Sequence, residues 1–212
     1  MARYLDDVLV ATDDERIASV VRAFGGRACM TREDHPTGTD RIAEVASCRE
    51  AAIYVNIQGD EPLIDPEAID SAIDAVRMDE GVSMGTLKKR IVDPTDVFNP
   101  NVVKVVTNLA GDAIYFSRSA IPHERDSGGA LPAYFKHIGL YVYRADLLRQ
   151  YPDLNVGPLE QAERLEQLRA LENGYRIRVV ETDYESLGVD TPEDLERVNE
   201  LFTAVANSVG YS

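Results

Sequence analysis

Cysteine is scarce in this sequence. Cys29 and Cys48 are its only two cysteines, too few for a framework of disulfides. Neither has histidine or cysteine nearby at the spacing of a metal site. We expect both thiols to be reduced and to serve only in packing.

Long apolar runs are also missing. No run approaches the roughly 20 residues that a membrane-spanning helix needs. The first seven residues, MARYLDD, have no apolar core of the kind found in a signal peptide. We therefore expect a cytoplasmic protein that makes no contact with a membrane.

Positive charge is in deficit, because 22 basic residues face 37 acidic ones and the formal net charge is −15. A general nucleic-acid binder would show the opposite sign or a basic stripe, so we expect no nucleic-acid partner. If the substrate is an anion, local arginines and a metal ion must overcome the overall negative field.

The 212 residues are enough for one sizeable core, and we expect a single domain over residues 1–212. Strands alternate with helices: a strand at Val8–Ala11 precedes a helix that ends at Gly25, and a strand at Ile53–Ile57 precedes a helix that begins at Pro66. This alternation predicts an α/β fold with a mainly parallel, Rossmann-like sheet flanked by helices. Ligands then bind at the carboxyl ends of the strands.

The middle of the chain departs from this alternation of strands and helices. Strands are expected at Val102–Thr107, Ala113–Phe116 and Tyr134–Tyr143, which predicts a small antiparallel excursion over about residues 102–145. Apolar residues at three-residue steps, namely Leu159, Ala162, Leu165 and Leu168, then predict one helix from about Pro158 to Glu172. A further strand and a C-terminal helix follow it.

Two aspartates occupy positions that suit a ligand site. Asp60 follows a buried strand in the segment NIQGDEP, and Asp190 precedes the last helix in GVDTPED. Each could simply cap backbone N–H groups. Two such carboxylates converging at one sheet edge would instead suit Mg²⁺, with substrate phosphates and water completing its shell.

An ordered series of motifs resembles the 3-deoxy-manno-octulosonate (Kdo) cytidylyltransferases, from about Val8 to Val198. The segments that carry the resemblance are VATD at 10–13, CMTR at 29–32, QGDEP at 58–62, FNPNVVKVV at 98–106, YFSR at 115–118, HIGLY at 137–141, LEQLR at 165–169 and GVDTPEDL at 188–195. The resemblance implies a nucleotidyltransferase that transfers CMP from CTP to Kdo and releases pyrophosphate. It also implies a role in lipopolysaccharide biosynthesis and a homodimer.

The resemblance further implies roles for individual residues. The implied Mg²⁺ ligands, Asp60 and Asp190, would act in catalysis together with Arg118 and Arg125, which receive anionic groups. The residues implied around the sugar acid are Gln58, His137, Tyr141, Glu166 and Gln167. Thr37, Gly38 and Arg41 lie where the family recognises the nucleotide base. Independently of the resemblance, His137 and Tyr141 are four apart on one predicted strand, so both can point at the same ligand.

One part of the family pattern has no counterpart. The family normally begins with a strand and a loop rich in Arg, Ser, Gly and Lys that cradles the CTP phosphates, and nothing before Val8 matches it. Without that interior strand, its two neighbours would keep unpaired backbone groups. Two alternatives stay open on the sequence: a cytidylyltransferase for another acidic sugar, and a non-catalytic relative that binds ligand.

Overall fold

The computed structural model describes residues 2–125, 133–185, 187–189 and 191–209, with side chains up to residue 203. Its strands are β1 (Val10–Thr12), β2 (Ala28–Met30), β3 (Ile53–Asn56), β4 (Met84–Arg90), β5 (Lys104–Thr107), β6 (Ala113–Ser117), β7 (Phe135–Arg144) and β8 (Ile177–Glu181). Its helices are α1 (Glu15–Ala23), α2 (Gly38–Cys48), α3 (Pro66–Arg77), α4 (Pro94–Phe98), α5 (Ala145–Gln150), α6 (Pro158–Glu163), α7 (Gln167–Glu172) and α8 (Pro192–Val209). None of the described helices is both long and apolar enough to cross a membrane.

The main sheet has six strands, in the order β6-β5-β7-β4-β8, with β3 also paired to β7. Strands β3, β4, β5 and β8 point the same way, because β4 and β8 pair in parallel and β3, β4 and β5 all pair antiparallel to β7. The α/β class with a majority of parallel-running strands is therefore as predicted. The antiparallel excursion also forms, but its long strand β7 lies in the centre of the sheet.

Helices cover both faces of this sheet, because alternate residues of each strand point to opposite sides. On one face, Met84 and Tyr143 pack with side chains from α2, α5 and α7. On the other, Leu87 and Val142 pack with the apolar stripe of α3. The core therefore has two layers, one on each side of β4 and β7.

Strands β1 and β2 form a separate, parallel two-stranded sheet. Within the described ranges, β1 pairs only with β2, and β3 pairs only with β7. Each of these two strands therefore has one edge with no partner strand among the described residues.

The single helix predicted over 158–172 is wrong. The chain forms α6 and then α7, because Arg164 adopts a left-handed conformation with φ of 54°. The turn at Arg164 folds the chain back, so that the Arg169 guanidinium reaches the Glu160 carboxylate with N–O distances of 2.7 to 3.1 Å. In a straight helix these residues would be about 13 Å apart along the axis.

Candidate functional site

A row of aromatic rings runs along one face of β7 and forms a wall of the candidate site. The rings are Phe116, His137, Tyr141, Tyr143 and Tyr151, with successive centroids 5.1, 5.4, 6.1 and 6.4 Å apart. His137 and Tyr141 therefore lie side by side, which confirms that they share a face. Both side chains can therefore face a single ligand.

His137 is held against strand β4. Its Nε2 lies 2.9 Å from the hydroxyl of Thr86, which is itself fully buried. Burial lowers the pKa of His137 from 6.5 to about 3, because the charged imidazolium loses its hydration. The ring is therefore neutral at physiological pH.

Tyr141 orients Gln167 at the start of α7. The Tyr141 hydroxyl donates to Gln167 Oε1 at 3.1 Å, and burial raises the pKa of that hydroxyl well above its ordinary value. The Gln167 Nε2 is buried, and no described residue bonds to it. A buried donor without a partner is costly, so this amide is a candidate contact for a ligand.

Asn56 is a residue that sequence reasoning did not select as a site residue. It ends β3 directly opposite Tyr141, so the two side chains lie on the same face of the sheet. Asn56 is buried, and its Nδ2 has no partner among the described residues. Its position at the carboxyl end of a buried strand was the available signal.

Glu166 connects this wall to helix α2. Its Oε2 accepts hydrogen bonds from the Thr39 backbone N at 3.2 Å and from the Thr39 hydroxyl at 2.7 Å. The Thr39 hydroxyl also lies 3.1 Å from the Tyr143 hydroxyl. The segment implied to recognise the base and the segment implied to hold the sugar are therefore joined directly.

The start of α2 is built as expected for a capped helix. The Thr37 hydroxyl accepts from the Asp40 backbone N at 3.1 Å. A side chain at Gly38 would come within 3.8 Å of Gln58, so the structure brings Gln58 to the implied base site. Arg41 has protein partners: its guanidinium donates to Asp13 at 2.8 Å and to the Thr31 hydroxyl.

A buried ionic cluster fixes α7 relative to α2 and α6. Arg169 bonds to Glu160, and its Nη1 also lies 3.6 Å from the Asp40 carboxylate. All three side chains are less than a tenth exposed. Because Arg169 lies two residues after Gln167, this cluster holds the ligand-facing part of α7 in place.

Arg118 and Lys104 form a second polar group beside the aromatic row. Arg118 donates to the backbone oxygens of Glu163 at 2.8 Å and Pro100 at 3.0 Å. The fully buried Lys104 donates to three backbone oxygens, including that of Arg118 at 2.6 Å. Arg125 is exposed at the end of the segment before residues 126–132.

Asp60 lies on an exposed turn after β3. Its backbone oxygen accepts from the Val189 backbone N at 2.9 Å, so the residue before Asp190 packs against Asp60. Asp190 itself lies outside the described residues. No group of three or more metal-binding side chains occurs among the described residues. A single exposed carboxylate on this turn nevertheless fits Mg²⁺, which often takes one or two carboxylates and completes its shell with phosphates and water.

The structure thus brings most of the predicted sugar-site residues together. His137, Tyr141, Gln167 and Glu166 form one connected wall, and Glu166 links it to the start of α2. Among the described residues, no hydrogen bond joins the side chains of Arg118 or Asp60 to this wall.

Comparisons with known proteins agree on the family. The family model described as "Cytidylyltransferase" matches residues 2–177. A 3-deoxy-manno-octulosonate cytidylyltransferase of Solibacter usitatus (strain Ellin6076) is 65% identical over 204 residues, which cover 96% of this chain and 81% of that protein. One from Geotalea uraniireducens (strain Rf4) is 57% identical over 208 residues, or 94% of this chain and 83% of that protein.

A solved structure gives the same result. The chain is similar to a CMP:2-keto-3-deoxy-manno-octonic acid synthetase complexed with CTP, with a TM-score of 0.90 and 44% identity over 96% of this chain and 83% of that one. The chain therefore belongs to the cytidylyltransferase family, within its 3-deoxy-manno-octulosonate cytidylyltransferase branch.

Proposed function

We propose that this chain transfers CMP from CTP to Kdo and releases pyrophosphate. The observation that carries the proposal is the pair of hydrogen bonds between Thr39 and Glu166. A transferase must hold a nucleotide and a sugar side by side, and this contact joins the segment implied to bind the base to the segment implied to bind the sugar. The names of the similar proteins support the same reaction.

The reaction requires the anomeric hydroxyl of Kdo to attack the α-phosphorus of CTP. A new oxygen–phosphorus bond forms, the bond to the β-phosphate oxygen breaks, and the hydroxyl proton is lost. Such a transfer needs no covalent enzyme intermediate, since it depends on positioning the reactants and neutralising charge. The rigid wall on β7 and the fixed start of α7 supply the positioning.

The residues divide into groups by what they contact. In this proposal His137, Tyr141, Gln167 and Glu166 hold the sugar, with Gln58 at the boundary between the two ligands. Thr37, Gly38 and Arg41 form the base site, where Arg41 acts through its bonds to Asp13 and Thr31, which fix the segments around it.

Anionic groups of the substrates are assigned to Arg118 and Arg125. A guanidinium has five N–H donors, and the two backbone contacts of Arg118 leave the others for a phosphate or carboxylate. Asp60 and Asp190 are the proposed ligands of Mg²⁺, which would supply positive charge at the phosphates when bound. This charge is needed because the chain as a whole is strongly acidic.

The proposal includes a cytoplasmic homodimer that serves lipopolysaccharide biosynthesis. These three features rest on the family resemblance. Light scattering of the purified chain tests the dimer, for which the expected mass is twice the 23.5 kDa of the chain. A monomer at micromolar concentration would contradict it.

The activity is tested by pyrophosphate release from the folded chain with CTP, Kdo and Mg²⁺. Release should require all three, and UTP or GTP in place of CTP should give much less. A sialic acid in place of Kdo tests the alternative sugar, and preference for it would overturn the choice of Kdo. If the folded chain releases nothing, the assay is repeated after fusing the N-terminal strand and phosphate loop of a relative. CTP binding without release from that fusion would favour the non-catalytic alternative.

A further inference from the structure

We infer that Thr86 is a positioning residue that fixes which ring nitrogen of His137 carries the proton. In this arrangement Nε2–H donates to Thr86, and Nδ1 is left as a hydrogen-bond acceptor for a hydroxyl group of the sugar. The proton on Nε2 is assigned from the hydrogen-bond geometry and the free Nδ1 also from the burial of the ring, whereas the identity of the ligand rests on the proposed function.

The position of Thr86 follows from an irregularity in the sheet. Thr86 pairs with Tyr141, but the next residue, Leu87, pairs with Ile138. Two residues of β7 therefore bulge between these pairs. The Thr86 hydroxyl lies 2.8 Å from the Leu140 oxygen and 3.2 Å from the Ile138 oxygen.

The hydroxyl has only one proton to donate. Backbone oxygens can only accept, and two oxygens 2.8 Å apart repel each other unless a proton lies between them. The proton of Thr86 is therefore committed to the backbone of β7, principally to Leu140. The hydroxyl oxygen can then only accept from His137 Nε2, which lies 2.9 Å away, and that contact is a hydrogen bond only if Nε2 carries a proton.

The other ring nitrogen follows from the charge of the ring. Burial holds the pKa of His137 at about 3, so the neutral imidazole has one N–H, and this one is on Nε2. Nδ1 is then an acceptor. No described residue donates to it, while Phe116 and Tyr141 fix the ring plane on either side.

This assignment restricts what can bind at His137. An acceptor attracts a hydroxyl group and repels an ionised carboxylate or phosphate, which can only accept. Nearby, the buried amide nitrogens of Gln167 and Asn56 can only donate. The wall therefore orients a polyhydroxylated sugar acid, with a hydroxyl at His137 and oxygen acceptors toward the two amides.

The proton assignment is tested by NMR of the full chain labelled with ¹⁵N-histidine. The chain has three histidines, and His137 is identified by the signals lost in His137→Gln. Long-range ¹H–¹⁵N correlations distinguish the two neutral forms, and we expect the Nε2–H form in the wild-type chain. An Nδ1–H pattern or a charged ring at neutral pH would overturn the inference without any variant.

Two substitutions separate the hydroxyl from the shape of Thr86. Thr86→Val removes the hydroxyl at nearly constant volume and should give a mixture of both forms or the Nδ1–H form. Thr86→Ser keeps the hydroxyl and should retain the wild-type pattern. An unchanged pattern in folded Thr86→Val would show that Thr86 does not select the form. If that variant fails to fold, the wild-type and Thr86→Ser spectra still test the role of Thr86. Loss of the Nε2–H form in the serine variant would contradict the inference.

Kinetics give an independent readout. Thr86→Val should raise the KM for Kdo about tenfold, as expected when one hydrogen bond of about 1.4 kcal/mol is lost, with less than about a twofold change in the KM for CTP. Thr86→Ser should restore the wild-type value. Equal changes for both substrates would indicate a merely structural role. If neither the wild-type chain nor its fusion to the N-terminal strand and phosphate loop of a relative shows transferase activity, the proposed function fails, while the NMR result still decides the proton assignment.

Discussion

Glu166 accepts two hydrogen bonds from Thr39, although 127 residues separate them in the sequence. The backbone N–H of Thr39 belongs to the first turn of α2, where amides have no partner within the helix. A carboxylate satisfies this donor and also favours the positive end of the helix dipole. One side chain therefore stabilises the start of α2 and ties it to the wall of the candidate site.

Glu166→Gln should weaken binding of both substrates. Both Thr39 bonds reach the single atom Oε2, so the amide oxygen of glutamine can still accept them, but the variant removes the negative charge that strengthens them. We expect the KM for CTP and the KM for Kdo each to rise about tenfold, since charge-assisted hydrogen bonds are worth about 1.5 to 3 kcal/mol. Steady-state kinetics measure both values.

Thr39 provides the matched controls for that variant. Thr39→Ser keeps the hydroxyl and should behave like the wild-type chain, whereas Thr39→Val should reproduce part of the loss. A change confined to one substrate in Glu166→Gln would show that the contact does not couple the two sites.

Arg169→Met should be strongly destabilising. It leaves the buried carboxylates of Glu160 and Asp40 without their counter-charge, a situation that costs about 3 to 5 kcal/mol. Urea unfolding followed by circular dichroism measures the free energy of unfolding. Arg22→Met is the control, because the pair of Arg22 with Glu15 is exposed and such pairs contribute about 0 to 1 kcal/mol. A similar decrease in the free energy of unfolding in both variants would contradict the expectation that burial makes the loss of Arg169 costly.

The alternation of strands and helices was predictable from local sequence patterns. The predicted strand at Tyr134–Tyr143 is observed at Phe135–Arg144, and its alternation of apolar and polar-aromatic residues correctly places His137 and Tyr141 on one face. What the pattern does not contain is the strand order. The central place of β7 depends on pairing with β3, β4 and β5, which are distant in the sequence.

The turn at Arg164 shows a second limit of prediction from local sequence patterns. Leucine spacing over 158–172 is satisfied by one helix, but it carries no information on the contact of Glu160 with Arg169, which only the turn permits. Similarly, Thr86 and Asn56 were not recognised as site residues, because their importance depends on a β-bulge and on a cross-strand neighbour. Motifs predicted the residues that are proposed to face the ligand, and tertiary contacts show which residues hold them in place.

Asp60→Asn should abolish most of the metal-dependent turnover while leaving the fold intact. The substitution removes a charge at nearly constant size on an exposed turn, and metal stabilisation of a phosphoryl-type transition state is worth several kcal/mol. We expect turnover at fixed Mg²⁺ to fall about a hundredfold or more, with the melting temperature nearly unchanged. Asp190→Asn should behave in the same way.

Asp65→Asn is the matched control for a carboxylate in the same segment. Asp65 caps α3 by accepting from the Glu67 backbone N, and asparagine caps helices equally well. Its turnover should therefore stay close to that of the wild-type chain. Unchanged turnover in both Asp60→Asn and Asp190→Asn would exclude the proposed metal ligands.

Stability should fall as the pH drops below about 6.5, and His137 should be the cause. Burial lowers the pKa of His137 from 6.5 to about 3, so between these values the unfolded chain binds a proton that the folded chain does not. Protonation then favours unfolding, and one such proton changes the free energy of unfolding by at most about 1.4 kcal/mol per pH unit. Carboxylates with lowered pKa contribute only at lower pH: the pKa of Asp14 falls from 3.8 to about 2, so its stabilisation is lost below about pH 4.

Urea unfolding from pH 7.5 to 5 measures this effect of His137. The free energy of unfolding should fall with decreasing pH in the wild-type chain, and its slope against pH should be smaller in His137→Gln. An equal slope in both chains would mean that the His137 ring is protonated as readily in the folded chain as in the unfolded one.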